Sequence, residues 1–481
     1  MRDNLRTRMG WLHGWVGFIA GLPLTIIFAA GTLSTFDIEI GRWMQPEIQL
    51  PFGVHPSPGV LSHAENMLWS LHRQGVIAFL NLPSPRDPAL RILHYDGQEF
   101  VGPALDPRSG QVVPARETVG GNFFYNLHFT LLAGHDWGRR IVDTLGLAML
   151  VAIGSGIVIH WRSIIPDIVL FRPFAARPRA WMDAHILAGV LFLPFITATA
   201  YTGVVVHSGA ILPDGGVRKD TLSAQSSAPE NLPPLAPMII EAERVLGDGK
   251  TGFILFGPDA IHVVQGDFTR FYLTRDEVAF DYRDGHLLHI TRHGGAIARS
   301  QQAFRGLHYI RWAPLPIRWL YFLAGLTGAI MMASGLVLFL MRYRRQHGGE
   351  WTFHLAEGLT MAVVLGFPVA TLSLFWLNRL LPPFLPHRAL AEFHATLDIW
   401  LFTAVHAFAF SLSGHAGRAW RQQAATLGML AVTLPLLDLS TRDHGWTLPA
   451  SSPFIAVDTL AFLVGILAWH LYRRLSPEHA S

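Results

Sequence analysis

The apolar stretch that begins at His13 organises the whole chain: Trp11-Leu-His-Gly-Trp-Val-Gly-Phe-Ile-Ala-Gly-Leu-Pro-Leu-Thr-Ile-Ile-Phe-Ala-Ala-Gly31. A similar stretch follows about 170 residues later as Ala184-His-Ile-Leu-Ala-Gly-Val-Leu-Phe-Leu-Pro-Phe-Ile-Thr-Ala-Thr-Ala-Tyr-Thr-Gly203. In each stretch a histidine, His13 or His185, stands in the first turn, and glycines follow it four and eighteen residues later. This shared spacing indicates an internal repeat.

The composition predicts a polytopic membrane protein, since 51% of the 481 residues are hydrophobic and only 15% are charged. Several apolar runs reach the roughly 20 residues that a helix needs to cross a bilayer. The net charge is only +3, and the arginines flank the apolar runs, which indicates contact with membrane lipid rather than with nucleic acid. Because the chain has no cysteine, a bound cofactor must use histidine, methionine or carboxylate ligands.

The apolar runs and the arginines beside them predict about eight transmembrane helices, with both termini in the cytoplasm. The fold class is therefore mainly α, with two small α+β periplasmic modules inserted in a duplicated four-helix core. The predicted order is a first span (1–36), a first module (37–125), the second and third spans with a cytoplasmic loop at 161–183 (126–206), a second module (207–305), a fourth span (306–345) and a C-terminal four-span extension (346–481).

Each module has the pattern of a helix followed by short strands. In the first, a helix near 61–73 precedes strands at 76–81 and 89–95 and a strand, turn and strand at 105–113. In the second, a helix at 238–246 precedes strands at 252–255, 260–265, 269–274 and 277–288. The turn Asp281-Tyr-Arg-Asp-Gly resembles Asp106-Pro-Arg-Ser-Gly of the first module, so the repeat includes the modules.

Four histidines occupy equivalent positions in the two repeats. His13 and His185 lie at the predicted cytoplasmic ends of the first and third spans, and His128 and His308 precede the second and fourth spans in Asn-Leu-His and Gly-Leu-His. A duplicated four-helix unit brings each pair together across a pseudo-two-fold axis. Each pair then supplies both axial ligands of one haem iron, because neutral imidazole binds iron well and the macrocycle is buried favourably among helices. Arg139, Arg140 and Arg318 are candidate partners for the propionates of the outer haem.

Other interpretations of these histidines stay open. A single histidine at a membrane boundary is more often an interfacial anchor or a helix cap. Zinc is disfavoured because each predicted pair offers two ligands and structural zinc usually takes four. His354 and His406, in the later spans, are weaker candidates for a third haem or a quinol site. Transport through the bundle would need a broken helix and a polar site at the midplane.

These motifs, Leu12-His-Gly-Trp-Val-Gly17, Leu105-Asp-Pro-Arg-Ser-Gly-Gln-Val112, Asn126-Leu-His128, Ala184-His185 and Gly306-Leu-His308, resemble those of the PepSY-associated transmembrane proteins. That family includes iron-regulated membrane proteins and ferric-siderophore reductases of the bacterial inner membrane. The resemblance covers about residues 9–345. It implies an oxidoreductase with b-type haem, here two, on His13, His128, His185 and His308, which reduces a periplasmic ferric siderophore or another acceptor.

No glycine-rich dinucleotide fingerprint lies between a strand and a helix, so the electrons must come from quinol or from a separate cytoplasmic reductase. The alternative is a non-redox protein, in which the periplasmic PepSY modules bind an envelope partner and the spans only anchor them.

Overall fold

A computed structural model describes residues 2–95, 100–161, 172, 177–206, 233–292, 296–442 and 453–475. The start of the predicted second module, 207–232, and most of the predicted cytoplasmic loop at 161–183 lie outside the described residues. The chain divides into two compact units. The helical unit contains residues 1–45, 116–211 and 318–481, and the sheet unit contains residues 46–115 and 212–317.

The helical unit contains the candidate membrane spans, which we number as segments 1 to 8. Six described helices are long and apolar enough to cross a bilayer, and two bent helix pairs raise the number to eight if each pair is one span. This agrees with a multi-pass membrane protein. In chain order the segments are Leu5–Ile19 with Gly21–Ser34, Gly134–His160, Pro178–Leu191 with Leu193–Val206, Leu315–His347, Trp351–Leu380, Arg388–Leu412, Ala416–Thr441 and Phe454–Arg474.

Segments 1 and 3 are bent at equivalent places, by 58° and 66°. Pro23 and Pro194 lie just after the two bends. Proline has no N–H to donate, and its ring collides with the carbonyl group four residues earlier. The prolines therefore account for both bends. Two short helices, Asp37–Met44 and Asn122–Thr130, complete the N-terminal half of the unit.

Glycines allow segments 1 to 4 to pack closely. A Cβ built on Gly146 of segment 2 would lie 2.8 Å from Val204 of segment 3, and one built on Gly325 of segment 4 would lie 2.5 Å from Thr32 of segment 1. Small residues of this kind let helix backbones approach each other inside a membrane. Segments 1 and 2, and segments 3 and 4, meet at the histidines described below.

Buried charged residues join segments 5 to 8 to the N-terminal part of the unit. Arg388 and Glu392 of segment 6 form an ion pair at 3.2 Å with both side chains fully buried. Glu392 also accepts hydrogen bonds from the Thr118 hydroxyl and the Val119 N–H, at 2.6 and 3.0 Å. Arg379 pairs with Asp438 and donates to the carbonyl oxygen of Trp43 at 2.7 Å. These contacts fix the C-terminal extension, because a buried charge without its partner is costly.

In the sheet unit, the helices Pro58–Arg73 and Leu235–Leu246 pack against one sheet. The described strands are β1 (Ala78–Asn81), β2 (Leu90–Tyr95), β3 (Phe100–Val101), β4 (Ala104–Leu105), β5 (Thr251–Phe256), β6 (Ile261–Gln265), β7 (Glu277–Phe280) and β8 (Leu287–Thr291). They pair in the order β3, β2, β1, β5, β6, β7, β8, with β4 beside β2. A further helix, Ala296–Tyr309, follows the sheet.

The strands of the two predicted modules therefore share one sheet. Strands β1 and β5 pair antiparallel, with Phe79 opposite Leu255 and Asn81 opposite Phe253. The predicted strand at 269–274 is wrong: this piece is irregular, and at its start the Thr269 hydroxyl donates to the carbonyl oxygen of Gly266 at 2.9 Å. A threonine hydroxyl that bonds to nearby backbone in this way competes with strand pairing.

Candidate metal centre

His13 is held by segment 2. It lies in the helix Arg2–Ile19, and its Nδ1 is 2.9 Å from the carbonyl oxygen of Ala152 and 3.2 Å from Oγ of Ser155. The Ser155 hydroxyl itself donates to the same carbonyl oxygen at 2.9 Å. A carbonyl oxygen only accepts hydrogen bonds, so the neutral imidazole must carry its proton on Nδ1. The lone pair on Nε2 is then available to a ligand or a metal.

His185 has the same environment on the other side of the repeat. It lies in the helix Arg177–Leu191, and its Nδ1 is 2.8 Å from the carbonyl oxygen of Met331 and 3.2 Å from Oγ of Ser334 in segment 4. The Ser334 hydroxyl donates to that carbonyl oxygen at 2.6 Å. His185 therefore also presents the Nε2 lone pair. An Nδ1–H that donates to a backbone carbonyl is the arrangement that orients metal-binding histidines in proteins.

The two imidazole rings are neighbours. Their centres lie 6.4 Å apart and their planes make an angle of 72°. Metal–imidazole bonds are about 2 Å long, and each nitrogen is roughly 1 Å from its ring centre, so two imidazoles on opposite sides of one ion have centres about 6 Å apart. At this separation the two imidazoles would be able to hold one metal ion between them.

The space around the rings is set by glycines. A Cβ on Gly156 would lie 3.2 Å from Cε1 of His13, and one on Gly335 would lie 3.0 Å from Cε1 of His185. Each imidazole therefore rests against a glycine that has no side chain to displace it. A Cβ on Gly14 or Gly17, by contrast, would meet nothing within 4 Å. The helix surface at these two glycines is therefore open.

The contacts correspond between the two halves of the four-segment arrangement. Gly146 and Gly325 each lie ten residues before the glycine that contacts a histidine. Thr32 and Val204, which these two glycines contact, each lie nineteen residues after a histidine. The contact of segment 2 with segment 3 is thus matched by the contact of segment 4 with segment 1. The two halves of the arrangement thus repeat the same pair of contacts.

The two outer histidines lie in different compact units. His128, in the helical unit, has its Nδ1 2.9 Å from the carbonyl oxygen of Ile27, and a Cβ on Gly31 would lie 2.6 Å from the same nitrogen. It is therefore held by segment 1 as His13 is held by segment 2. His308 lies near the end of the helix Ala296–Tyr309 in the sheet unit and is half-buried. The pairing of His128 with His308 stays a prediction.

The weaker candidates bond to different residues. Nδ1 of His354 lies 3.2 Å from Oγ of Ser411, whereas Nε2 of His406 lies 2.9 Å from Oε1 of Gln422. These contacts give the two histidines no common ligand. Arg318, a candidate for a haem propionate, pairs with Glu39 at 2.5 Å.

The family of the chain follows from a comparison with protein-family models. The model described as the PepSY-associated TM region matches residues 10–342. The chain belongs to this family. A comparison with curated proteins gave no match. The matched residues include all four predicted ligands, while segments 5 to 8 lie beyond the PepSY-associated region.

The sequence predicted the four histidines but not the residues that orient His13 and His185 in this PepSY-associated region. Ser155-Gly156 and Ser334-Gly335 stand at matching places in segments 2 and 4, and this repetition was the available signal. Each pair supplies a hydroxyl near Nδ1 and a glycine against the ring. Gly189, four residues after His185, instead faces the sulfur of Met331, which a Cβ would approach to 3.2 Å.

Proposed function

We propose that the chain transfers electrons across the bacterial inner membrane through two b-type haems and reduces a periplasmic acceptor, such as a ferric siderophore. The observation that carries this proposal is the pair His13 and His185, whose ring centres lie 6.4 Å apart while both Nδ1 atoms are bonded to carbonyl oxygens. A b-type haem held by two imidazoles supplies one-electron chemistry. The residues of the chain hold, orient and enclose it.

The two imidazoles and the apolar helices around them are better suited to bind haem than to form a closed zinc site. Two neutral imidazoles that present Nε2 are the axial ligands of many haem proteins, whereas structural zinc takes four protein ligands. The pair lies among apolar helices, where a large macrocycle is buried favourably. For the outer haem, His128 is held by Ile27 and lies against Gly31, and His308 is its proposed partner.

The core is proposed to be a duplicated four-helix unit in which each half carries a PepSY-like module. Its support is the matched set of contacts, in which Ala152, Ser155 and Gly156 meet His13 as Met331, Ser334 and Gly335 meet His185. The sheet unit provides a second similarity between the two halves, since each half contributes a helix followed by antiparallel strands.

The proposed orientation places both termini in the cytoplasm. Exposed arginines lie in the last turns of segments that end on that side, as Arg345 does in segment 4 and Arg474 does in segment 8. Positive residues concentrate on the cytoplasmic side of inner-membrane proteins. The sheet unit then lies in the periplasm, where a siderophore acceptor would be met.

The test is a reduced-minus-oxidised absorption spectrum of the purified full-length protein, together with its haem content. We expect a b-type spectrum and two haems per chain. His13→Ala and His185→Ala should each lose about half of the haem, while His394→Ala, an exposed histidine of segment 6, should keep all of it. A protein that binds no haem after expression with ample haem would contradict the proposal.

A non-redox binding function is a second candidate, and one observation favours it. Strand β8 ends the sheet among the described residues, and it exposes Leu287, Leu288 and Ile290 at 36%, 42% and 43%. An apolar edge strand can pair with an extended peptide. Peptide binding by a protein that carries no haem would support this candidate over electron transfer.

A further inference from the structure

The C-terminal extension contains a chain of hydrogen bonds that ends at His354. The Ser411 hydroxyl donates to Oε2 of Glu357 at 2.6 Å, and Nδ1 of His354 lies 3.2 Å from the same hydroxyl oxygen. Because Ser411 uses its only proton on Glu357, its oxygen must accept a hydrogen bond from Nδ1–H of His354. Arg344 at the end of segment 4 pairs with the other oxygen of Glu357 at 2.6 Å.

This arrangement makes His354 suited to accept a proton. Its Nε2 has no partner among the residues that the structure describes. The lone pair on Nε2 can take a proton, and the carboxylate of Glu357, buried to 5% exposure, stabilises the resulting imidazolium through Ser411. A histidine oriented by a carboxylate in this way is the usual general base of proteins.

His354 borders an apolar surface on segment 5. It is half-buried, and Leu355 and Leu359 beside it are 38% and 42% exposed. Trp351, one turn earlier, is 68% exposed, as expected for an aromatic residue at the membrane interface. A substrate that reaches His354 from this side therefore has to be lipophilic.

The site is close to the inner histidine pair. Trp15, two residues after His13, lies 6.0 Å from the ring of Tyr343, and Tyr343 lies 6.4 Å from Phe353, the neighbour of His354. Arg344 is ten residues beyond Ser334 on the same helix, which is about 15 Å of helical rise. Two ring contacts thus connect the neighbour of His354 to the helix that carries His13.

We propose that His354, Ser411 and Glu357 form a site at which a membrane quinol is oxidised, so that quinol is the electron donor. This inference rests on the proposed electron-transfer function and names its donor. Oxidation of one quinol to the quinone breaks two O–H bonds and releases two protons and two electrons. Nε2 of His354 takes the first proton and passes it to water before taking the second. The two electrons would be taken up by the two proposed b-type haems, one electron by each.

The first test is binding, and it needs no haem. The full-length protein is irradiated with a short-chain azidonaphthoquinone, and the labelled peptides are identified by mass spectrometry. We expect the label on 351–361 or on the last turns of 388–412, and at least fivefold less label in the presence of excess menadione. The proposal would be overturned if the label were confined to other segments. It would also be overturned if excess menadione did not lower the amount of label.

The second test is the rate of haem reduction by menadiol without oxygen. His354→Gln keeps a polar side chain but is a poor proton acceptor, so we expect reduction about 100-fold slower, in the range typical of a lost general base. Ser411→Ala should slow reduction at least tenfold while the imidazole stays in place. The matched control His394→Gln should leave the rate unchanged, and dithionite should give the same full spectrum in all variants.

The outcomes separate the two proposals. A wild-type protein that dithionite reduces and menadiol does not would refute the quinol site and leave the haem proposal standing. A His354→Gln variant whose haem is reduced by menadiol at the wild-type rate would also refute the quinol site. If dithionite reveals no haem, the electron-transfer function fails, and the photolabelling result then decides the quinone site by itself.

Discussion

Gly156 lies directly against His13, at a distance where an added Cβ would stand 3.2 Å from Cε1 of the ring. Gly335 and His185 have the same relationship at 3.0 Å. Because protein interiors tolerate little overlap, a larger side chain at either glycine must displace the imidazole. The two glycines therefore fix where the two imidazole rings can lie.

A leucine at Gly156 should remove the inner haem although both ligands remain. We expect Gly156→Leu to lower the haem content by about half and to keep the outer haem. Gly154→Leu is the matched control, since it lies on the same helix and a Cβ there would meet nothing within 4 Å. Haem content per chain is the measurement, and equal haem in the two variants would argue against a metal between His13 and His185.

The serines near Nδ1 should affect the affinity and the midpoint potential of the inner haem, which the two histidines hold. In Ser155→Ala and Ser334→Ala the imidazoles keep their bonds to the carbonyl oxygens of Ala152 and Met331. Loss of an outer partner of a metal ligand typically lowers affinity 10- to 100-fold. We expect the double variant to bind haem about 10-fold more weakly and to shift one of the two midpoint potentials. Thr144→Ala, an exposed hydroxyl on segment 2, should change neither.

The buried ion pair of segment 6 should be essential for stability. Removal of one partner of a buried pair costs about 3–5 kcal/mol, so Arg388→Met should lower the thermal midpoint in detergent strongly. Glu392→Gln should have a smaller effect, because the amide oxygen can still accept hydrogen bonds from the Thr118 hydroxyl and the Val119 N–H. Arg345→Met, at an exposed position, should leave the midpoint unchanged. A midpoint of Arg388→Met equal to the wild type would show that the pair does not anchor the extension.

The sheet unit should show a pH-dependent contact between neighbouring strands. His262 of β6 and Glu277 of β7 lie 3.5 Å apart. The Glu277 carboxylate raises the pKa of His262 above its ordinary value of 6.5, and His262 lowers the pKa of Glu277 below its ordinary value of 4.5. The stabilisation by His262 is therefore complete below pH 6.5 and is lost as the pH rises through its folded pKa. The stabilisation by Glu277 is present above pH 4.5 and is lost as the pH falls through the folded pKa of Glu277.

Hydrogen exchange of the β6 and β7 amides measures this contact locally. We expect the wild type to be better protected than His262→Gln at about pH 5.5, and we expect the difference to shrink as the pH rises through the folded pKa of His262. His63→Gln, an exposed histidine of the same unit, serves as the control. A difference that grows with pH would contradict the assignment.

Much of the membrane part was predictable from the sequence, because the signals are local. Apolar runs of sufficient length indicated the spans, and the repeated spacing of histidine and glycine indicated that His13 and His185 are equivalent. The family membership, confirmed over residues 10–342, rests on the same short motifs. The helices of the modules were also predicted, since the helix Pro58–Arg73 has an N-cap serine and an apolar face.

Only the tertiary structure decided which atoms meet. No local pattern specifies that Nδ1 of His13 bonds to Ala152, that β1 pairs with β5, or that Glu392 of segment 6 accepts a hydrogen bond from Val119. These contacts join residues far apart in the chain, and they depend on close helix packing at glycines and on strand register. The sequence by itself determined the spans and the candidate ligands, whereas packing between distant segments brought His13 and His185 to the spacing of two ligands of one ion.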